Sequence, residues 1–179
     1  MQKGIIAYKL SNLGWDVSEH YGDGFDLLCL RNQDGTQEIA RKIELKAVDL
    51  KSYSREAKNK SHSRKAKSFS QAISPNEIVA STHIIISIFN EIELKGHFVM
   101  SIRQVFNAVK KKKTSKFKKY KSFSEFQKAA WKVSQKKVLR RKGNKKKLPR
   151  LSLDIGCTFK KFNKGDWELD TFKDKWDNL

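Results

Sequence analysis

Asp26 and, eighteen positions on, the tripeptide Glu44-Leu45-Lys46 are the residues of this chain whose types and spacing suit chemistry. Each lies in an apolar, strand-like run, GFDLLCL for the first and KIELKAV for the second. Between them, NQDGTQ carries Asp34-Gly35 near its centre. Asp-Gly between two apolar runs is a hairpin signal. Folding back around residue 35 sets position 26 opposite position 44. Side chains alternate along a strand with period two, so Glu44 and Lys46 share a face. Two carboxylates and an ammonium then meet on one patch of sheet. Two carboxylates, a backbone carbonyl and waters make a usual site for Mg²⁺, a hard cation that prefers oxygen. The candidate ligands are Asp26, Glu44 and the carbonyl of Leu45, and Mn²⁺ would substitute. An ion placed beside a phosphodiester neutralises phosphoryl charge and activates a water. Lys46 would orient that water or stabilise the charge on the phosphoryl group.

The competing reading is a solvated sheet face on which Asp26 pairs with Lys42 and Lys46. Against it, both acids lie among apolar residues, where facing carboxylates repel unless a cation lies between them.

The elements that must position these groups follow from periodicity. Residues 3–13 read as a helix on Ile6, Leu10 and Leu13, with Gly14 as its stop. Residues 15–21 read as a short strand. Residues 25–31 and 38–48 form the hairpin. KSYSREAKNKSHSRKAKS reads as a mobile loop or the start of a solvated helix, and residues 68–80 as helical on either side of Pro75. THIIISIFN is rich in β-branched residues and reads as a buried central strand. A second hairpin is expected at Lys95-Gly96, then a helix over 101–109 with Ile102, Val105, Phe106 and Val109 on one face. LSLDIG reads as a strand, followed by acidic, Trp-containing turns (Trp167, Trp176) expected to pack against the basic segment described next.

Charge changes abruptly at residue 110. Residues 110–147 hold 18 Lys/Arg against the single acid Glu125, so they carry +17 of the chain's net +20. Ser122 and Glu125 have capping-box spacing, and Phe126, Ala130 and Val133 form an apolar stripe behind them. The segment therefore reads as a basic amphipathic helix over 123–141 flanked by lysine-rich loops. Candidate phosphate contacts are Lys110, Lys111, Lys112, Lys113, Lys116, Lys118, Lys119, Lys132, Lys136, Lys137, Arg140 and Arg141. Aromatics are sparse here apart from Phe117, Tyr120 and Phe123, which favours gripping a duplex backbone over stacking single strands.

Asp26 in GDGFDLLCL and Glu44/Lys46 in IELKAV, in the order helix, strand, Asp strand, ExK strand, resemble the PD-(D/E)XK nuclease superfamily. The resemblance covers roughly residues 1–105. It implies an α/β, restriction-endonuclease-like fold, a mixed central sheet flanked by helices, here with a basic helical C-terminal extension. It also implies Mg²⁺ dependence and nucleic-acid cleavage. Gly24-Phe25 stands where many members have a proline before the Asp. Several branches carry a further acid in the first helix, and residues 3–13 contain none. Glu19, from the second element, is the substitute ligand. Gln71 is the candidate for a glutamine that some branches place on the helix after ExK.

At 179 residues the chain suits one domain with an appendage: a core at 1–109, the lysine-rich segment at 110–147, and a strand with an acidic tail at 148–179 packing on the core. With 39 Lys/Arg against 19 acids, polyanionic partners are expected, nucleic acid before a membrane surface. No apolar stretch approaches the roughly 20 residues of a transmembrane helix. MQKGIIAYKL lacks the features of a signal peptide, and Cys29 and Cys157 form no CxxC. These point to a cytoplasmic protein with buried thiols. His20, His62, His83 and His97 have no zinc spacing. Phosphate-loop and Ser or Cys nucleophile motifs are absent. The expected activity is a Mg²⁺-dependent endonuclease on duplex or branched DNA, working as a homodimer because duplex cleavage needs two sites. The alternatives are an RNA-cleaving enzyme with the same site and a non-catalytic basic nucleic-acid-binding protein.

Overall fold

The computed structural model describes residues 2–33, 37–49, 68–111, 116–141, 153–158 and 169–179. Five strands form one mixed sheet: β1 (Asp16–Glu19), β2 (Leu27–Gln33), β3 (Gln37–Asp49), β5 (His83–Asn90) and β6 (Glu93–Ser101), in that spatial order. Neighbours are antiparallel except β3 and β5, which run parallel. Helix α1 (Gln2–Asn12) precedes β1, and Gly14, at φ 82°, ends its final turn. A separate two-stranded ribbon pairs β4 (Ser68–Ile73) with β7 (Leu153–Thr158). Short α2 (Pro75–Ala80) links β4 to β5, and α3 (Ile102–Lys111) follows β6. A 3₁₀ turn (Lys116–Lys119) leads into the long α4 (Phe123–Arg141). Two further 3₁₀ turns, Asp170–Phe172 and Trp176–Asn178, complete the described chain.

The period-two pattern of the strands sorts the core into two layers. Leu27, Cys29, Ile43, Leu45, Ile85 and Val99 face α1, meeting Ile6, Leu10 and Leu179. Ile84, Ile86, Ile88, Phe98 and Met100 face the other way. There they meet Ile78 of α2, Phe106 of α3, and Phe126 and Ala130 of α4. The sheet is thus α/β, mixed and flanked by helices on both faces.

The hairpin register matches the expectation: Leu27 pairs with Ile43 and Gln33 with Gln37, a fold centred on residue 35. Helix α4 occupies the expected span, and Ser122 Oγ accepts from the Glu125 N–H at 3.2 Å. Three expectations are corrected. Residues 68–73 form a strand, because β7, far along the chain, supplies its partner; only 75–80 is helical, with Pro75 in the first turn. The β5–β6 turn lies at Glu91-Ile92, where Glu91 takes the left-handed φ of 61°. Gly96 instead marks a bulge, where a Cβ would lie 2.9 Å from Lys173 Cε. Leu13, expected on the buried stripe of α1, is 43% exposed in the turn after it. The Lys/Ser-rich stretch up to residue 67, His62 and Trp167 lie outside the described residues.

Of the acidic tail, Asp174 is tied to β6: its Oδ1 accepts from the His97 N–H at 3.0 Å and its N–H donates to the His97 carbonyl at 2.7 Å. Leu169 is buried in the core layer that includes Phe117 and Phe126, and Phe172 packs against that layer. Among the described residues no helix is long and apolar enough to cross a membrane.

Candidate functional site

The site forms where β2 stops and β3 runs on. The Asp26 N–H donates to the Ile43 carbonyl (2.8 Å) and the Asp26 carbonyl accepts from His20 (2.8 Å), so the residue is fixed at the mouth of the hairpin. Beyond that point β3 pairs with β5, and among the described residues its other edge has no strand partner. Asp26 Oδ2 fills the first position there, accepting from the Leu45 N–H at 2.9 Å. A strand residue turns its N–H and C=O to the same side, so the Leu45 carbonyl lies along the edge that Asp26 occupies. The preceding loop is sewn to α2: Ser81 Oγ donates to the Gly24 carbonyl at 2.7 Å. At φ 113°, Gly24 comes so close that a Cβ would lie 2.4 Å from that of Ala80.

Glu44 and Lys46 project together onto the face covered by α2 and α4. Lys46 Nζ lies 2.6 Å from Glu44 Oε1 and 2.9 Å from Glu77 Oε1. Glu77 is the third residue of α2, and its other oxygen accepts from the Ser74 N–H at 2.7 Å, closing a capping box. Burial pushes the Glu44 carboxyl up to about 6; the Lys46 hydrogen bond opposes this, while Glu77 and Asp26 push further up. Burial works to lower the Lys46 ammonium, but its bonds to Glu44 and Glu77 outweigh it and raise its pKa. Asp26 Oδ1 lies 2.9 Å from Lys3 of α1. Gln2, also of α1, donates to the Lys46 carbonyl at 2.7 Å and to Ser87 Oγ at 3.0 Å.

The site therefore holds three carboxylates and two ammonium groups. Glu44 and Lys46 are in direct contact, while the Asp26 carboxylate is held by Lys3 and the Leu45 N–H, near enough for its charge to act on Glu44. Lys3, Gln2 and Glu77 join them without having been singled out. Glu77 had a readable signal: Ser74-Pro75-Asn76-Glu77 is a capping-box sequence with proline at the first helical position. Lys3 and Gln2 had none, because their role depends on how α1 docks.

Other candidates take different places. Glu19 ends β1 exposed and accepts from the Tyr21 hydroxyl at 2.8 Å. Among the described residues no three His, Cys, Asp or Glu side chains converge to share an ion. Gln71 lies on β4 opposite Ile155, not on a helix. Cys29 is buried and its thiol is pushed up to about 12 by burial, as expected of a small apolar residue. His83 and His97 are buried strand residues bonded to Thr82 and Asn178 and to Ser87.

The lysine-rich segment divides. Lys110 is spent on structure, donating to the carbonyls of Tyr120 (2.7 Å) and Lys121 (3.2 Å). Lys111, Lys118, Lys119, Lys128 and Lys132 are exposed, the last two beside a half-exposed Trp131. Lys112 and Lys113 lie outside the described residues; Lys116 is on the 3₁₀ turn, and Lys136, Lys137, Arg140 and Arg141 on the last turns of α4. Phe117, Tyr120 and Phe123, weighed as stacking aromatics, pack against Phe126 inside the protein. Helix α4 rests on α2, which carries Glu77, so the basic helix and the carboxylate site share one face of the sheet.

No protein-family model, no curated protein and no solved structure matches the chain.

Proposed function

We propose that this chain is a divalent-metal-dependent DNA endonuclease of the PD-(D/E)XK, restriction-endonuclease-like kind, with Asp26, Glu44 and Lys46 at its centre and Mg²⁺ as the ion. One observation carries the reading: beside the end of β2, Asp26 accepts from the Leu45 N–H of β3, between the two residues, Glu44 and Lys46, that form a close ion pair. The donor set suits a hard cation. Glu44, with a side chain 10% exposed, is a carboxylate that needs positive charge beside it, and Lys46 now supplies that charge. Asp26, Glu44 and the Leu45 carbonyl would hold the ion, with waters completing its shell. When bound, Mg²⁺ supplies charge neutralisation at the phosphoryl oxygens and a more acidic water.

The chain's own residues do the rest. Asp26 is fixed by the Leu45 N–H, so its position needs no reorganisation on binding. Lys46 places an ammonium where charge develops on the phosphoryl group, a contribution on the order of 10² in rate for such a group. The exposed lysines of the 3₁₀ turn and α4 hold the phosphate backbone, with affinity that falls steeply as salt rises. A homodimer would cut both strands of a duplex.

The ion pairs of the site favour a second reading. Lys3 on Asp26, and Lys46 between Glu44 and Glu77, form a closed charge lattice that also serves a purely binding protein. Plasmid and four-way-junction cleavage with Mg²⁺, set beside calorimetric titration with Mn²⁺, separates the two. The nuclease reading expects cleavage that falls about 100-fold or more in Lys46→Ala and Mn²⁺ binding that vanishes in Asp26→Ala. Binding of DNA without cleavage and without Mn²⁺ uptake leaves the second reading.

A further inference from the structure

We infer that Glu77 is a positioning residue for Lys46, holding the ammonium in place when Glu44 is committed to a cation; this rests on the metal-dependent reading above. The geometry is specific. Glu77 uses one carboxylate oxygen on Lys46 Nζ (2.9 Å) and the other on the Ser74 N–H (2.7 Å). The capping box thus fixes the side chain from behind while its other oxygen holds Lys46. Glu77 is partly buried, and its side chain is 19% exposed. Glu44 and Glu77 share Lys46 as an ion-pair partner.

Glu44 has two calls on one carboxylate. It binds Lys46 at 2.6 Å in the present arrangement, and it is a proposed ligand for the ion. With Glu44 alone, Lys46 would compete for that carboxylate, and a cation arriving there would leave a half-buried ammonium without a counter-charge. Such an uncompensated charge is costly. Glu77 removes the conflict. Lys46 keeps one carboxylate at all times, stays beside the β3 edge, and releases Glu44 without leaving the site. The support is local as well: α2 is held to the Asp26 loop through Ser81 and Gly24, so Asp26 and Glu77 are set by one short element.

The experiment is a two-by-two cycle of Lys46→Ala and Glu77→Gln, with Ser74→Ala as a folding control. Mn²⁺ affinity is read by calorimetry and cleavage as kcat and KM separately. The amide of Glu77→Gln still offers an oxygen to Ser74 but carries no charge for Lys46. Ser74→Ala weakens the cap and keeps the carboxylate. Partners that orient a site's first-contact groups typically contribute about 10–100-fold in metal affinity or activity. Glu77→Gln is therefore expected to weaken Mn²⁺ binding and lower kcat by about that factor, with KM for the oligonucleotide unchanged. Ser74→Ala should leave both close to wild type. In the Lys46→Ala background the change at 77 should lose its effect, because the group it positions is gone. Full additivity of the two changes, or Mn²⁺ affinity and kcat in Glu77→Gln within about twofold of wild type, overturns the role of Glu77. A wild type that takes up Mn²⁺ but cuts nothing sinks the nuclease reading alone, and the affinity arm of the cycle still decides Glu77. A wild type that takes up no Mn²⁺ overturns both.

Discussion

At the scale of single residues, Glu44 and His83 set opposite pH dependences on the same sheet. Burial raises Glu44 from 4.5 to about 6, so the folded state favours its protonated form. That contribution is present below pH 4.5 and lost as pH rises through 6, a cost of about 2 kcal/mol at neutral pH. Burial, then the Arg41 charge, lowers His83 from 6.5 to about 4, against the pull of its bond to the Asn178 carbonyl. Here the folded state favours the neutral ring. Its stability is present above pH 6.5 and lost as pH falls towards 4, about 3 kcal/mol in all. Between pH 4.5 and 6 the two slopes oppose each other. His97, which burial also holds below its usual range, adds to the His83 slope, so urea unfolding of wild type should give a stability that rises only shallowly with pH across that window. Glu44→Gln removes one arm, and its stability should rise more steeply with pH there. A parallel pair of curves would show that Glu44 titrates in the folded state as it does in the unfolded chain. Cation binding at the site would pull the Glu44 carboxyl down again, so the comparison belongs in chelator.

At the scale of elements, the loop 20–26 and helix α2 form the joint on which Asp26 and Glu77 depend. Gly24 sits at φ 113° with a would-be Cβ 2.4 Å from Ala80, a backbone region and a space that only glycine fits. Gly24→Ala should cost about 3 kcal/mol or more from strain and overlap together. It should also weaken Mn²⁺ uptake, because Asp26 moves with the loop. Urea midpoints and the same titration check this, and an alanine variant as stable as wild type would mean that α2 yields. These elements show what the sequence discloses and what it hides. The β2–β3 register was legible because Asp34-Gly35 and the apolar alternation are local and agree, and α4 was legible from its cap and stripe. Strand β4 was not, since SFSQAI acquires its identity from β7, more than 80 residues on. The β5–β6 turn was hidden by a non-glycine residue at positive φ, while the visible Gly96 serves a bulge. Asp26, Glu44 and Lys46 were legible as a group because one hairpin joins them. Lys3, Gln2 and the contact of Glu77 with Lys46 required the docking of two helices that no local pattern encodes.

At the scale of the whole molecule, residues 117–130 of the lysine-rich segment are built into the core, although the segment's charge alone suggests an appendage. Phe117, Tyr120, Phe126 and Ala130 are buried in one cluster with Ile78, Phe98 and Phe106. Phe126 stacks on Phe106 with ring centroids 4.8 Å apart and meets Phe117 edge-on at 5.4 Å. Burying a large apolar side chain contributes about 1.5–3 kcal/mol. Three such aromatics therefore rival the whole stability of a typical domain, about 5–15 kcal/mol. A chain ending at residue 109 would leave the faces of α2 and α3 that meet them in water. That fragment should show no cooperative urea transition and should bind a hydrophobic dye, although it keeps Asp26, Glu44 and Lys46. In the full chain, Phe126→Ala should cost about 3–5 kcal/mol by opening a cavity between α3 and α4. A fragment that unfolds cooperatively at the full-length midpoint would instead make residues 110–147 dispensable to the fold. The distinction bears on function through geometry. Under the proposed function, a lysine face fixed on α2 would hold phosphates at a set distance from Glu77 and the β3 edge, whereas a tethered basic tail would raise affinity without registering any one phosphate over Lys46.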